Sequence, residues 1–201
     1  TLGRITVPLL GLHNLSNALA AIAVARQLSV SFEQLVTHMP NFQGARRRFE
    51  HRGFYNDILF IDDYAHHPSE VKATLAAAQI QRSGKLPSGR DRQVVAVFQP
   101  HRYSRASTLL DEFATAFEGA DRIIVTDIYS AGETNTANIT GEQVMRAIAQ
   151  YQPNTEYQAT LEAVKAVLQT SLVPGDIVIF LTAGNLNQVI PDVMEAYQNV
   201  A

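Results

Sequence analysis

From about Phe49 onward the chain alternates between two hydrophobic periods. Candidate strands lie at Ile58 to Asp62, Val94 to Gln99, Arg122 to Asp127, Thr155 to Ala159 and Asp176 to Leu181. Between them lie stretches with helical spacing near 68–82, 104–119, 140–151, 160–172 and 185–198. The first of these is typical: Pro68 stands at a helix start, and Val71, Leu75 and Ala78 then recur on one face. Loops with proline or glycine punctuate the pattern, at Leu86-Pro-Ser-Gly89 and Val173-Pro-Gly175. Strict alternation of strand and helix predicts an α/β fold, a doubly wound and mostly parallel sheet with right-handed crossovers. Apolar runs such as Ile58-Leu-Phe-Ile61 suit strands covered on both faces.

The first forty residues read differently. Ala18-Leu-Ala-Ala-Ile-Ala-Val-Ala-Arg-Gln-Leu28 is strongly helical and apolar nearly all round, which predicts a buried helix. Asn17 could serve as its N-cap. A second short helix is expected from Ser31, as N-cap, to Met39. Two helices and one short strand cannot close a core by themselves. Residues 1–42 are therefore expected to be the end of a larger domain, 43–48 a linker, and 49–201 the α/β domain.

Composition narrows the class. The chain has 201 residues, 46% hydrophobic and 17% charged, with no apolar run long enough to span a bilayer. No cysteine is present, so disulfide staples and thiolate chemistry are excluded, in keeping with a reducing, cytoplasmic setting. A net charge of −3 gives no electrostatic case for nucleic acid. The positive charge is unevenly divided, however, between three lysines and thirteen arginines. Arg46-Arg47-Arg48 and the pair Arg102 and Arg105 stand out, because guanidinium forks suit carboxylate and phosphate.

Chemistry concentrates in three loops that follow strands. Ile61-Asp-Asp-Tyr-Ala-His-His-Pro-Ser-Glu70 places two carboxylates, a phenol and two imidazoles in six positions. No core needs that density of ionisable groups, whereas the carboxyl end of a strand in an open α/β sheet is where ligands bind. Phe98-Gln-Pro-His-Arg-Tyr-Ser-Arg105 ends the next strand at the same edge, so the two clusters meet if their strands are neighbours. Asp127-Ile-Tyr-Ser-Ala-Gly-Glu133 adds two carboxylates and another phenol. Gly84-Lys85 is followed by Leu86, so no phosphate-cradling P-loop is present, and Gly-x-Gly-x-x-Gly is absent too. Adjacent His66 and His67 do not project to one face, which argues against a metal pair. Ser104 lies near His101 without a nucleophile elbow, which argues against a serine hydrolase.

Taken in order, Gly11-Leu-His-Asn-Leu-Ser-Asn-Ala-Leu-Ala-Ala21, Gly44-Ala-Arg-Arg-Arg-Phe49, Asp62-Asp-Tyr-Ala-His-His-Pro68, Gln99-Pro-His-Arg-Tyr-Ser-Arg105 and Asp127-Ile-Tyr-Ser-Ala-Gly-Glu133 resemble the Mur ligase family. The resemblance implies the end of a central ATP-binding domain followed by a C-terminal Rossmann-like domain. It further implies ATP-driven amide formation through an acyl phosphate, with UDP-N-acetylmuramate and L-alanine as substrates. ATP and Mg²⁺ would be the cofactors, with P-loop and metal ligands in upstream domains of the same protein, so this stretch alone is expected to be inactive. Position by position, His13, Asn14 and Asn17 match residues around the adenine, Arg48 the arginine that reaches the phosphates, and Asp63 the carboxylate that accepts from the ribose. Tyr64, His66, Arg102 and Arg105 match the surface that orients the alanine and the acyl end of the muramate. Thr182-Ala-Gly-Asn185 departs from the family's more usual Gly-Ala-Gly-Asp, so position 185 receives no role. The rival readings are a ligase of murein tripeptide and a stand-alone nucleotide- or sugar-binding module.

Overall fold

The computed structural model describes residues 2–82, 86 and 89–198. The Gly84-Lys85 dipeptide, and residues 87 and 88 of the expected loop at 86–89, lie outside the described residues. The chain divides into two compact units, Thr1–Arg46 and Arg47–Ala201. The division falls inside the stretch expected to be a linker, and Arg48 belongs to the second unit.

In the first unit, α1 runs from Leu12 to Gln27 and α2 from Phe32 to His38. Ser31 caps α2 as expected: its hydroxyl accepts from the Gln34 amide while the Gln34 side chain accepts from the Ser31 amide. The first helix corrects two expectations. It starts at Gly11, whose φ of 95° only glycine adopts readily, so Asn17 lies inside the helix rather than at its cap. It is also not buried within its unit. Only Ala18 and Ile22 are covered, while Leu12, Leu15, Leu19 and Val24 are exposed. An all-round apolar helix needs neighbours on every side, and a unit this small covers one stripe.

The second unit holds strands β1 (Glu50–Tyr55), β2 (Ile58–Asp63), β3 (Val94–Phe98), β4 (Arg122–Val125), β5 (Thr155–Tyr157) and β6 (Ile177–Leu181). Their order across the sheet is β1-β2-β6-β3-β4-β5. Every pairing is parallel except the β1–β2 hairpin. That hairpin was not expected. Glu-His-Arg-Gly-Phe-Tyr has no apolar run, because β1 is a half-covered edge strand with an irregular register between His51 and Gly53. Asn56 and Asp57, both at positive φ, form its two-residue turn, a signal the sequence did carry.

The period of two sorts the strand residues onto two cores. Val94, Ala96, Phe98, Ile177, Ile179 and Leu181 face one layer, with α3 (Pro68–Gln81), α4 (Tyr103–Thr108), α5 (Leu110–Ala114) and α6 (Gly141–Ala149). Val95, Val97, Val178 and Phe180 face the other, with α7 (Leu161–Ser171) and α8 (Ile190–Gln198). The sheet is thus doubly wound, as expected. Two helices are less continuous than expected. The 104–119 stretch breaks at Leu109, whose ψ of 21° leaves the helical region, and the 185–198 stretch opens with a 3₁₀ turn at Leu186–Val189. Among the described residues no helix is long and apolar enough to cross a membrane.

The first core is anchored by Phe98, whose ring centroid lies 5.3 Å from that of Phe113 and 5.2 Å from that of Phe117, all three fully buried. Phe117 follows the broken helix and seals it against the sheet. Phe117→Ala should therefore cost about 3–5 kcal/mol in denaturant unfolding. A loss under about 1 kcal/mol would mean that this aromatic cluster is not the anchor.

Candidate functional site

Strand register sets the site. Asp63 pairs with Leu181, Leu181 with Phe98 and Phe98 with Val125, so the carboxyl ends of β2, β6, β3 and β4 stand in one row. The next residues continue the ladder: Thr182 N donates to Asp63 O, Gln99 N to Leu181 O and Thr126 N to Phe98 O. Since β6 lies between β2 and β3, the two strands are not neighbours, the condition on which their loops were expected to meet. Their ends are about 10 Å apart, two strand spacings. The loops nevertheless meet, by folding back over β6.

They meet as an arc of rings. Tyr64 lies edge-on to His66 at 5.2 Å, His66 is 5.6 Å from His101, and His101 stacks on Tyr129 at 5.6 Å and 20°. At one end the guanidinium groups of Arg47 and Arg48 cover the Tyr64 ring at 5.1 and 5.6 Å. At the other, Arg105 lies 3.4 Å from His101 Nδ1 and Arg102 lies 3.5 Å from Glu133. The structure thus brings Arg48, Tyr64, His66, Arg102 and Arg105 onto one surface of the second unit. His13, Asn14 and Asn17 lie on α1 of the first unit, where Asn14 Nδ2 donates to Leu10 O at 2.7 Å.

Arg48 is presented on a kink. Arg47 and Phe49 on either side have φ of 56° and 50°, a left-handed conformation that costs bulky residues of order 1 kcal/mol each. The kink is fastened at several points. Arg47 N donates to Glu50 Oε2, Tyr64 N to Arg47 O and Phe49 N to Asp63 Oδ2, each at 2.7 Å. The Arg48 side chain remains 52% exposed, 3.6 Å from Glu70.

Asp63 is placed differently from the sequence expectation. Its side chain is 5% exposed, and besides Phe49 it accepts from Ala65 N at 2.7 Å and from the Thr74 side chain. Burial raises its carboxyl above the usual range, against the pull of the two amides and of Arg48. Asp62, fully buried, is likewise pushed up by burial, while Arg47 and Arg52 hold it from two sides and oppose that shift. For Glu70 the balance reverses. Burial acts upward, but the amides of His66 and His67 and the charges of His66 and Arg48 outweigh it, and the carboxyl is lowered. Glu133 is lowered by the Ser104 amide and hydroxyl and then by Arg102. His101 is held below its ordinary value by burial and then by His66, Arg105 and Arg102, so it is neutral at pH 7.

Two members of the site, Arg47 and Gln99, were part of sequence motifs but received no role of their own from the sequence. Arg47, rather than Arg46, bridges β2 to β6, pairing with Asp62 and donating to Thr182 O at 2.6 Å. Buried Gln99 is a hub: its Oε1 accepts from Thr182 Oγ1, Asn185 N and Leu186 N, and its Nε2 donates to Asn185 Oδ1. Position 185 therefore has a structural part in tying the β6 loop to the β3 loop. Polar character alone could not have marked Gln99, because its three partner residues lie over 80 residues away.

The carboxylates of this surface are spent on arginines and amides. Among the described residues no group of three His, Asp or Glu side chains could hold a metal ion.

The Mur ligase, glutamate ligase domain, family model matches residues 47–184, nearly the whole second unit. UDP-N-acetylmuramate–L-alanine ligase of Gloeobacter violaceus is 54% identical over 194 residues, covering 96% of this chain. The Synechococcus elongatus enzyme of the same name is 54% identical over 199 residues and 98% of the chain. This chain spans only 40% and 41% of those two relatives. Among solved structures, UDP-N-acetylmuramate–alanine ligase of Thermotoga maritima superposes with a TM-score of 0.78 at 26% identity, over 96% of this chain and 40% of that one. A murein peptide ligase of Psychrobacter arcticus gives 0.69 at 25%, over 98% and 39%. A continuous match of the second unit to the family model, on a sheet whose loops build the arc described above, means that this chain belongs to the Mur ligase family.

Proposed function

We propose that this chain is the carboxyl-terminal part of an ATP-dependent ligase that joins L-alanine to the carboxylate of UDP-N-acetylmuramate. The observation that carries the reading is the arc itself, in which loosely held arginine forks border a row of rings at the sheet's carboxyl edge. Both reacting partners are anionic, a carboxylate and a polyphosphate, so their repulsion is the chief obstacle to reaction. Arg48, exposed and held on its kink, supplies positive charge to the phosphates, and Arg102 and Arg105 receive the carboxylate of the amino acid. Tyr64 and His66 form the wall between these two positions. His13, Asn14 and Asn17 contribute adenine contacts from the first unit. Asp63 acts through the turn it holds, since its oxygens are engaged inward. The carboxylate of the muramate becomes an acyl phosphate, and the amine of alanine displaces phosphate from it. Mg²⁺ belongs with residues outside this stretch.

The amine must lose a proton as it attacks. His101 is suited to accept it, because burial and then the neighbouring guanidinium groups of Arg105 and Arg102 favour its neutral ring. Identity of 54% to ligases named for alanine favours that substrate over murein tripeptide.

The substrate assignment is tested by alanine-dependent phosphate release in the full-length protein. Arg105→Lys keeps the charge but loses the fork, and KM for alanine should rise about ten- to a hundredfold while KM for ATP moves little. Release driven by murein tripeptide but not alanine would replace the reading by the tripeptide ligase. Equal losses for alanine and ATP would reduce Arg105 to a structural residue.

The sign of the His101 shift gives a pH dependence. With its folded value below the ordinary 6.5, the ring is neutral above about pH 6.5 and gains a proton only as pH falls further. The ratio kcat/KM for alanine should therefore hold near pH 7–8 and decline on the acid side. In His101→Gln the plateau should drop about a hundredfold and the acid limb attributable to this ring should vanish. An unaltered limb in the variant would assign that proton transfer to another group.

A further inference from the structure

Arg48 reaches solvent from a short segment in an unfavourable conformation, so something has to hold that segment in place. Three fastenings reach it, and one of them is buried: Phe49 N donates to Asp63 Oδ2 at 2.7 Å. The other oxygen of the same carboxylate accepts from Ala65 N, also at 2.7 Å, in the turn that carries Tyr64 and His66. Thr74 on α3 adds a third donor. A single carboxylate, 5% exposed at the end of β2, thus spans the arginine kink on one side and the ring-bearing turn on the other. Its two oxygens face two amide donors. No neutral side chain of the same shape can meet both, because asparagine would oppose one N–H with its own amide group.

From this geometry we infer that Asp63 is a positioning residue for Arg48, fixing the direction of the guanidinium through the Phe49 amide and coupling it to the Tyr64–His66 turn. The inference rests on the phosphate role proposed above for Arg48. Asp63 is the rigid part of the device and Glu70, 3.6 Å from Arg48, is the half-exposed part. A solvent-facing ribose ligand would need a free oxygen aimed outward. Here the carboxylate oxygens are aimed into the fold.

The test is a pair of cycles on the full-length protein. Asp63→Asn should lower kcat about tenfold or more while the affinity for ADP stays within about twofold. Arg48→Ala alone should lower kcat about a hundredfold, and adding Asp63→Asn to it should bring little further loss, because Asp63 acts through Arg48. Replacing ATP by 2′,3′-dideoxy-ATP should leave the Asp63→Asn defect at the same size. A defect that disappears with the dideoxy nucleotide, or effects of Asp63→Asn and Arg48→Ala that multiply, would overturn the inference. If Arg48→Ala itself turns over normally, the phosphate role fails separately. Positioning is then read from amide exchange at Phe49 and Ala65, which should quicken at least about tenfold in Asp63→Asn and would contradict the inference if unchanged. Should Asp63→Asn not fold, Glu50→Ala frees the Arg47 amide from the same kink at a partly exposed site. That variant must lower kcat about threefold or more with ADP affinity kept, and an unchanged kcat overturns the inference.

Discussion

The close approach of backbone to side chain at Gly184 is the constraint on which the rest of the site depends. The loops after β2 and β3 lie two strand spacings apart, with the end of β6 between them, and can meet only if the β6 loop stays low. A Cβ at Gly184 would stand 2.7 Å from Tyr129 Cγ and would also run into Gln99 Oε1. With no side chain there, Tyr129 settles over the β6 loop and stacks on His101, which in turn reaches His66. Gln99 fixes the height of that loop by accepting from Thr182, Asn185 and Leu186 at once. A buried amide oxygen with three donors is fully used, so the hub specifies one arrangement rather than several.

Charge is arranged in two tiers, and the tiers have different work. Asp62 and Asp63 are buried at the end of β2, which would be costly if they were unpaired. Asp62 is offset by Arg47 and Arg52, and Asp63 by two amides and a hydroxyl. These are scaffold charges. Above them Arg48, Arg102 and Arg105 are held only loosely, by single contacts of 3.4 to 3.6 Å to Glu70, Glu133 and His101. Loose ion pairs near solvent contribute little to stability, and for that reason they can be exchanged for a substrate's carboxylate or phosphate at small cost.

β2, β3, β4 and β6 were legible in the sequence because parallel strands covered on both faces carry apolar runs, whereas β5, Thr155-Glu-Tyr157, is a half-covered edge strand that only the alternation marked. The sixth, β1, was missed for the converse reason. It lies at an edge and has no apolar run to show. The Tyr64, His66, Arg102 and Arg105 cluster was legible because ionisable residues crowd the ends of apolar runs. Strand order was not: local pattern says nothing of β6 inserting between β2 and β3, and so nothing of Gly184 or Gln99. Asp63 was visible as a carboxylate but its direction was not, since a side chain at a strand end can turn inward or outward. The apolar α1 was read as buried from its composition, whereas its unit covers only Ala18 and Ile22.

The central claim is that an arc of rings across β6 forms the amino-acid site. It is tested most directly by Gly184→Ala in the full-length protein, read as kcat/KM for alanine alongside thermal stability and ADP affinity. The added methyl group should displace Gln99 and lift Tyr129, parting His101 from His66 and lowering kcat/KM for alanine about tenfold or more, with a loss of about 1–3 kcal/mol in stability, while ADP affinity stays near that of the unaltered protein. A value of kcat/KM equal to that of the unaltered protein would contradict the account, because the site would then not depend on the approach that builds the arc.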